Sequence, residues 1–347
     1  MIRKTLTIVL SAFAITATAQ QGTSLSDSAQ ASYNKGLEEK QKGRRMESLK
    51  HFEKAASYNS NDKAITSELA DAYMDLRKYP QAWETYKKLE AMNGLTPESY
   101  KRMLDLSFNL RKFDEVPGYA AKLKKVDPSA KVNYFVGKVH YQQENYGEAI
   151  KVLNEAAKEE PTIGEIPYMI ARSYADMQNY KQCIPYFKKA IELDTSKGNW
   201  VYELGLIYYA IHDDKNALQY IKMAGDKGYR RDNDYLENLG IAYLNSGNLQ
   251  EGVKILNEIL ARRPSDLNIL NMIAEAYYAK GQWQAAMDHW DKVLEYDKEN
   301  AAALYMIGMC YQKKGEKAKG QQLCDKAIEM DPSLAALKQK KQMPGAL

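Results

Sequence analysis

The chain has 347 residues, 45% of them hydrophobic, enough to bury a core and, by length, to make two or three domains. With 20 glycines and 10 prolines it is neither disordered nor collagen-like. A formal charge of +4, from 49 basic against 45 acidic residues, argues against a nucleic-acid protein, which would gather basic residues on one face.

The first element is a leader. Arg3 and Lys4 precede the uncharged run TLTIVLSAFAITA, and Ala17-Thr18-Ala19 gives the small-x-small pattern that signal peptidase needs. Residues 1–19 therefore read as a cleavable signal peptide. The apolar run is too short and too rich in Thr and Ser for a stable span. No cysteine lies near the cut to carry a lipid. The expected location is exported, periplasmic or secreted, with no integral membrane span after cleavage. Residues 20–28 read as a linker.

From there the chain repeats itself. A small residue recurs three residues before a tyrosine: Ala70 before Tyr73, Ala171 before Tyr174, Gly205 before Tyr208, Gly240 before Tyr243, Ala274 before Tyr277 and Gly308 before Tyr311. Gly137 precedes His140 as a variant, Gly36 precedes Glu39, and Leu104 with Ser107 is the degenerate member. The steps from Gly36 to Gly308 are 34, 34, 33, 34, 34, 35, 34 and 34 residues, and a fixed period of that size means stacked repeats. Each period holds two helical patterns. In IPYMIARSYADMQ apolar residues fall at spacings of 3 and 4, Asn179-Tyr180 makes the turn, and KQCIPYFKKAIELD restarts the pattern. The second helix has its own small columns, one through Ser48, Ala82, Ala149, Cys183, Ala217, Gly252, Ala286 and Gly320, another through Ala55, Ala156, Ala190, Ala224 and Ala327. Small residues let helix backbones approach closely. Gly43, Gly247, Gly281 and Gly315 fall at the turn between the helices, where a left-handed residue ends the first of them.

This pattern resembles the tetratricopeptide repeat family over about residues 29–332, as nine repeats. The resemblance implies an all-α fold, an α-α superhelical solenoid of nine helix-turn-helix repeats. The first helix of each would line a concave groove and the second lie outside. The third repeat, with Leu104, Ser107, Val116 and Pro117, should be locally distorted. Residues 333–347 read as a C-terminal capping helix and tail, with Leu334 and Leu337 on one face.

Little here suggests chemistry. Cys183, Cys310 and Cys324 occupy repeated core columns, where free cysteine behaves as a small hydrophobe. A disulfide between Cys310 and Cys324 is the sharper alternative in an oxidising compartment. His51, His140, His212 and His289 lie in four different repeats, so no pair has metal-ligand spacing. His212-Asp213-Asp214 falls at an inter-helix turn, where Asp serves as an N-cap. Trp283 and Trp290 could stack sugars but sit in apolar columns. No phosphate loop, nucleophile elbow or HExxH motif occurs. We expect no catalytic residue, no cofactor and no metal.

The expected binding site is a set of first-helix side chains pointing away from the core: Tyr134, Lys138, Tyr141, Tyr168, Arg172, Tyr202 and Tyr209, with Tyr278 and Tyr305 further on. Aromatic residues with Arg are typical of interface hot spots. Acids flank them, Asp71, Asp75 and Asp105 before and Asp234, Glu237 and Glu275 after. Some relatives bind chaperone C-termini through a Lys/Arg/Asn carboxylate clamp, but the comparable positions here are Ser67, Asp71, Lys101 and Asp105, so that activity does not carry over. The expected function is a non-catalytic interaction scaffold holding a protein or peptide partner, not nucleic acid, in a role that suits envelope assembly or secretion. A carbohydrate- or small-ligand-binding module and an accessory subunit of an enzyme complex are the alternatives. The leader predicts a mature chain beginning at Gln20; N-terminal mass analysis of extracytoplasmic fractions checks this, and an intact Met1 there would contradict it.

Overall fold

A computed structural model describes residues 26–336, so the expected leader, the linker up to residue 25 and the tail from residue 337 lie outside the described residues. All regular structure within that range is helical. The chain divides into two compact units, one ending at Pro161 and the other beginning at Thr162. Four helix pairs lie in the first: α1 (26–41) and α2 (Arg45–Tyr58), α3 (Lys63–Asp75) and α4 (Tyr79–Ala91), α5 (Pro97–Asn109) and α6 (Val116–Val126), α7 (Asn133–Gln142) and α8 (Tyr146–Glu159). Five lie in the second: α9 (Glu165–Asp176) and α10 (Tyr180–Leu193), α11 (Gly198–Ala210) and α12 (Asp214–Asp226), α13 (Asn233–Asn245) and α14 (Leu249–Leu260), α15 (Leu267–Ala279) and α16 (Trp283–Tyr296), α17 (Ala301–Lys313) and α18 (Lys317–Met330). Residues 26–28, expected as linker, already belong to α1.

Every first helix ends in the same way. The residue seven positions after the small-column member takes a positive φ, and the next N–H bonds back five residues to the carbonyl in the tyrosine column. These bonds run from Arg44 to Glu39, Lys78 to Tyr73, Lys112 to Ser107, Asn145 to His140, Asn179 to Tyr174, Asp213 to Tyr208, Asn248 to Tyr243, Gln282 to Tyr277 and Glu316 to Tyr311, at 2.7–2.9 Å. This is the Schellman closure, which satisfies carbonyls that the helix end leaves open. Glycine occupies the left-handed position at Gly43, Gly247, Gly281 and Gly315, but Arg77, Arg111, Glu144, Gln178 and His212 adopt it with φ of 55–60°. His212 therefore sets a turn, and Asp213 caps α12 by accepting from the Asn216 N–H at 3.1 Å.

Within each repeat the two helices meet at the small column. A β-carbon added at Gly36, Gly137, Gly205, Gly240 or Gly308 would stand 2.6–2.7 Å from the side chain sixteen residues on, which is Phe52, Leu153, Ile221, Leu256 or Cys324. The small residue is thus the socket for a large one on the partner helix. At Gly308 the backbone itself is close: the added carbon would lie 2.8 Å from the Gly320 carbonyl oxygen.

The third repeat is distorted as expected. A 3₁₀ turn, Phe113–Glu115, precedes α6, and Val116 is fully buried in the column that holds small residues elsewhere. Pro117 sits in the first turn of α6, where its missing N–H has no partner to lose. At the C-terminal end Leu334 is buried against the last repeat, within a short 3₁₀ turn Pro332–Leu334. The expected capping helix beyond it lies outside the described residues. All three cysteines are buried and free of disulfides. Burial pushes the Cys183 thiol up to about 11 and the Cys310 thiol up to about 12, which leaves both protonated and unreactive at neutral pH. Trp290 is buried, and Trp283 packs its edge on Tyr278 at 5.0 Å.

Two substitutions test this architecture. A left-handed L-residue costs about 1–2 kcal/mol, so Glu144→Gly should stabilise the fold by roughly 0.5–1 kcal/mol. Gly308→Ala, which drives a carbon into the Gly320 carbonyl, should cost about 1–3 kcal/mol. Denaturant titration of each variant against the parent chain reads both.

Candidate functional site

In the first unit the outward side chains of the first helices are tied to one another across repeats. Lys40 pairs with Glu68 at 2.7 Å. Asp71 receives the Tyr86 hydroxyl and the Arg102 guanidinium, with Nε at 3.2 Å, and a second arm of Arg102 reaches Asp75 at 3.5 Å. Burial raises the pKa of Asp71, and the Tyr86 hydrogen bond and Arg102 work against that rise. Of the flanking acids, Asp71 and Asp75 are thus already paired from within. Lys138 lies 5.3 Å from the ring of Phe108 and 5.4 Å from the ring of Tyr134, and its ammonium donates to the Tyr134 hydroxyl at 3.4 Å. Tyr141 packs near Tyr146 at 5.9 Å. Tyr134, Lys138 and Tyr141 are all half-buried.

The second unit continues this pattern and then breaks it. Tyr168 stacks on Trp200 at 4.6 Å, and its hydroxyl donates to Glu203 at 3.0 Å. Arg172 reaches the same carboxylate at 3.3 Å and Asp176 at 3.8 Å. Burial raises the pKa of Glu203, and Arg172 partly offsets it. Tyr202 corrects an expectation: it is only 7% exposed and offers no binding surface. The connector 227–232 lays Tyr229 on it at 4.4 Å, and its hydroxyl accepts from the Asn238 amide at 2.8 Å. Its phenol is pushed up to about 12 by burial. Tyr305 is buried as well, whereas Tyr209 is 39% exposed. Arg172 is the other correction, since its guanidinium is held by Glu203 and Asp176 rather than offered whole to a ligand.

Tyr209 lines a cleft of about 370 Å³ with Ile241, Leu244, Leu249, Met272 and Glu275, and Asn245 and Lys280 stand among its polar lining. A second cleft of about 630 Å³ lies further along, lined by Tyr278, Met309, Lys313 and Lys317 among others. Among the described residues no three of His, Cys, Asp or Glu converge as a metal site. No helix there is long and apolar enough to cross a membrane.

Sequence profiles described as tetratricopeptide repeat match residues 33–99 and 301–334, and one described as TPR repeat matches 274–315. A profile for the anaphase-promoting complex, cyclosome, subunit 3, matches residues 118–190. The chain belongs to the tetratricopeptide repeat family. No curated protein matches it. Solved structures similar to it include YrrB, titled a TPR protein with an unusual peptide-binding site, at 22% identity and TM-score 0.44 over 55% of this chain and 98% of that one. The C-terminal part of a TPR repeat-containing protein from Cytophaga hutchinsonii is similar at 19% identity and TM-score 0.47, over 59% of this chain and 82% of that one. PilF of Pseudomonas aeruginosa is similar at 16% identity and TM-score 0.40, over 62% of this chain and 97% of that one.

In this tetratricopeptide repeat chain, Tyr168 and Arg172 converge on Glu203, a residue that column reading passed over. The signal was present: Glu203 lies 31 residues after Arg172, as Arg102 lies 31 after Asp71. Glu275 shares the column of Asp71 and Arg172 but has no such partner. No hydrogen bond or ion pair joins it to another described residue, and burial alone raises its pKa. A carboxylate whose folded-state pKa is raised takes up its proton more readily folded than unfolded. Its ionisation therefore destabilises the fold above the folded pKa and has no effect below the unfolded one. Glu275→Gln should melt at or above the parent temperature at pH 7, with the gap closing as pH falls into the ordinary carboxylate range. Glu203→Leu, which strips Arg172 and Tyr168 of their shared acceptor, should cost about 1 kcal/mol at pH 7. Melting curves across pH 4–7 (roughly the window set by a raised carboxylate) check both.

Proposed function

We propose that the chain is an exported, non-catalytic scaffold that holds an extended polypeptide against its first helices. The observation that carries this reading is the open cleft between α13 and α15, with the exposed ring of Tyr209 at its edge and an apolar lining of Ile241, Leu244, Leu249 and Met272. The half-buried rings of Tyr134, Tyr141 and Tyr168 support the same assignment, since aromatic rings give large contact area with few rotors to freeze. The Ala17-Thr18-Ala19 leader supports a periplasmic or extracellular site of action.

Tagged mature protein, co-purified after in-cell crosslinking, tests the reading. A polypeptide partner is expected, and Tyr209→Ala should weaken its capture about tenfold, as truncation of an aromatic anchor does, with the melting temperature unchanged. Retention on glycans with no polypeptide would contradict the reading.

A further inference from the structure

The polar rungs between first helices explain why one of them is missing. Asp71 has Arg102 and Arg172 has Glu203, each 31 residues on. The residue 31 after Glu275 is Met306 and the one 31 before it is Leu244, so the same offset offers a carboxylate only apolar neighbours. Glu275 is nonetheless half-buried, in a cleft walled by Ile241, Leu244, Leu249 and Met272. Lys280 lines the same cleft but makes no ion pair with it; its ammonium reaches instead to the Gly247 turn, 4.0 Å from where a β-carbon there would stand. A half-buried carboxylate with no protein cation or donor beside it loses part of its hydration in the unbound chain without a compensating partner. A cation brought by a ligand would recover that cost, and apolar walls suit the methylene stem that carries such a cation.

We propose that the cleft around Glu275 is a subsite for one lysine or arginine side chain of the bound polypeptide, the stem lying on Ile241, Leu244 and Met272 and the charged head on the carboxylate. This rests on the scaffold reading and adds to it the chemistry of the partner: a basic residue at one fixed position, with an apolar neighbour that meets Tyr209. An acidic segment is disfavoured at this cleft by the same carboxylate. The adjoining cleft, with Lys313 and Lys317, has the opposite sign and gives a built-in control.

Peptides selected from a random display library on the full mature chain provide the probe. The best binder is resynthesised with its basic residue replaced by norleucine, which keeps the stem and removes the charge, and each peptide is titrated against the parent chain, Glu275→Gln and Lys317→Gln. The expected result is a fixed Lys or Arg in the selected set, a loss of about tenfold for the basic peptide on Glu275→Gln, as for a desolvated charge pair, and no such loss for the norleucine peptide or on Lys317→Gln. Selection on Glu275→Lys should turn the preference at that position to Asp or Glu. Peptides that bind with no basic preference, or equally to Glu275→Gln, would overturn the subsite and leave the scaffold standing. No selectable peptide at all would overturn both.

Discussion

The close crossing of two helix backbones inside each repeat is the constraint on which the rest of this protein depends. At Gly308 and Gly320 the chains lie so near that a single added carbon meets a carbonyl oxygen, and at Gly308 the Cys324 thiol sixteen residues on fills the socket. That crossing fixes which side of the first helix is buried. The residues just outside it, from Asp71 to Met309 in one column, are what the packing leaves over. Because every repeat is built on the same crossing, those residues recur with the repeat and come into reach of one another along each unit.

What happens in that leftover column is a matter of charge. Where successive repeats supply opposite signs, as with Asp71 and Arg102 or Arg172 and Glu203, the face is tied together and partly neutralised. Such pairs are partly exposed, and each contributes little to stability on its own. Their larger effect is to take charges out of play for a ligand. Around Ile241, Glu275 and Met309 the column has no matching pair, and there the face opens into clefts. The open clefts thus lie where the internal pairing stops.

The repeat, its period, its two helices and the three buried cysteines were all legible in the sequence, because small residues, tyrosines and turn residues each fall in one register. The turn itself was only half legible. Glycine marks it in four repeats, but Glu144, Gln178 and His212 take the same left-handed conformation, forced there by the closing hydrogen bond rather than by their own preference. The binding face was harder to read. Tyr209 is partly exposed, but Tyr202 is buried, because Tyr229, in a connector that belongs to no column, stacks on it. Arg172 was misjudged for a related reason: its partner stands on the next first helix, at an offset that appears only when two repeats are laid side by side.

The proposed function requires that the first helices, and not the second, meet the partner. A photo-crosslinking amino acid placed singly at Tyr209, Ile241 and Met272 on first helices, and at Gln219, Lys254 and Asp288 on second helices, tests this in cells producing the full chain. Adducts with a polypeptide are expected from the first three positions and none from the other three. Adducts confined to Gln219, Lys254 and Asp288 would contradict it and move the binding surface to the opposite side of the repeat.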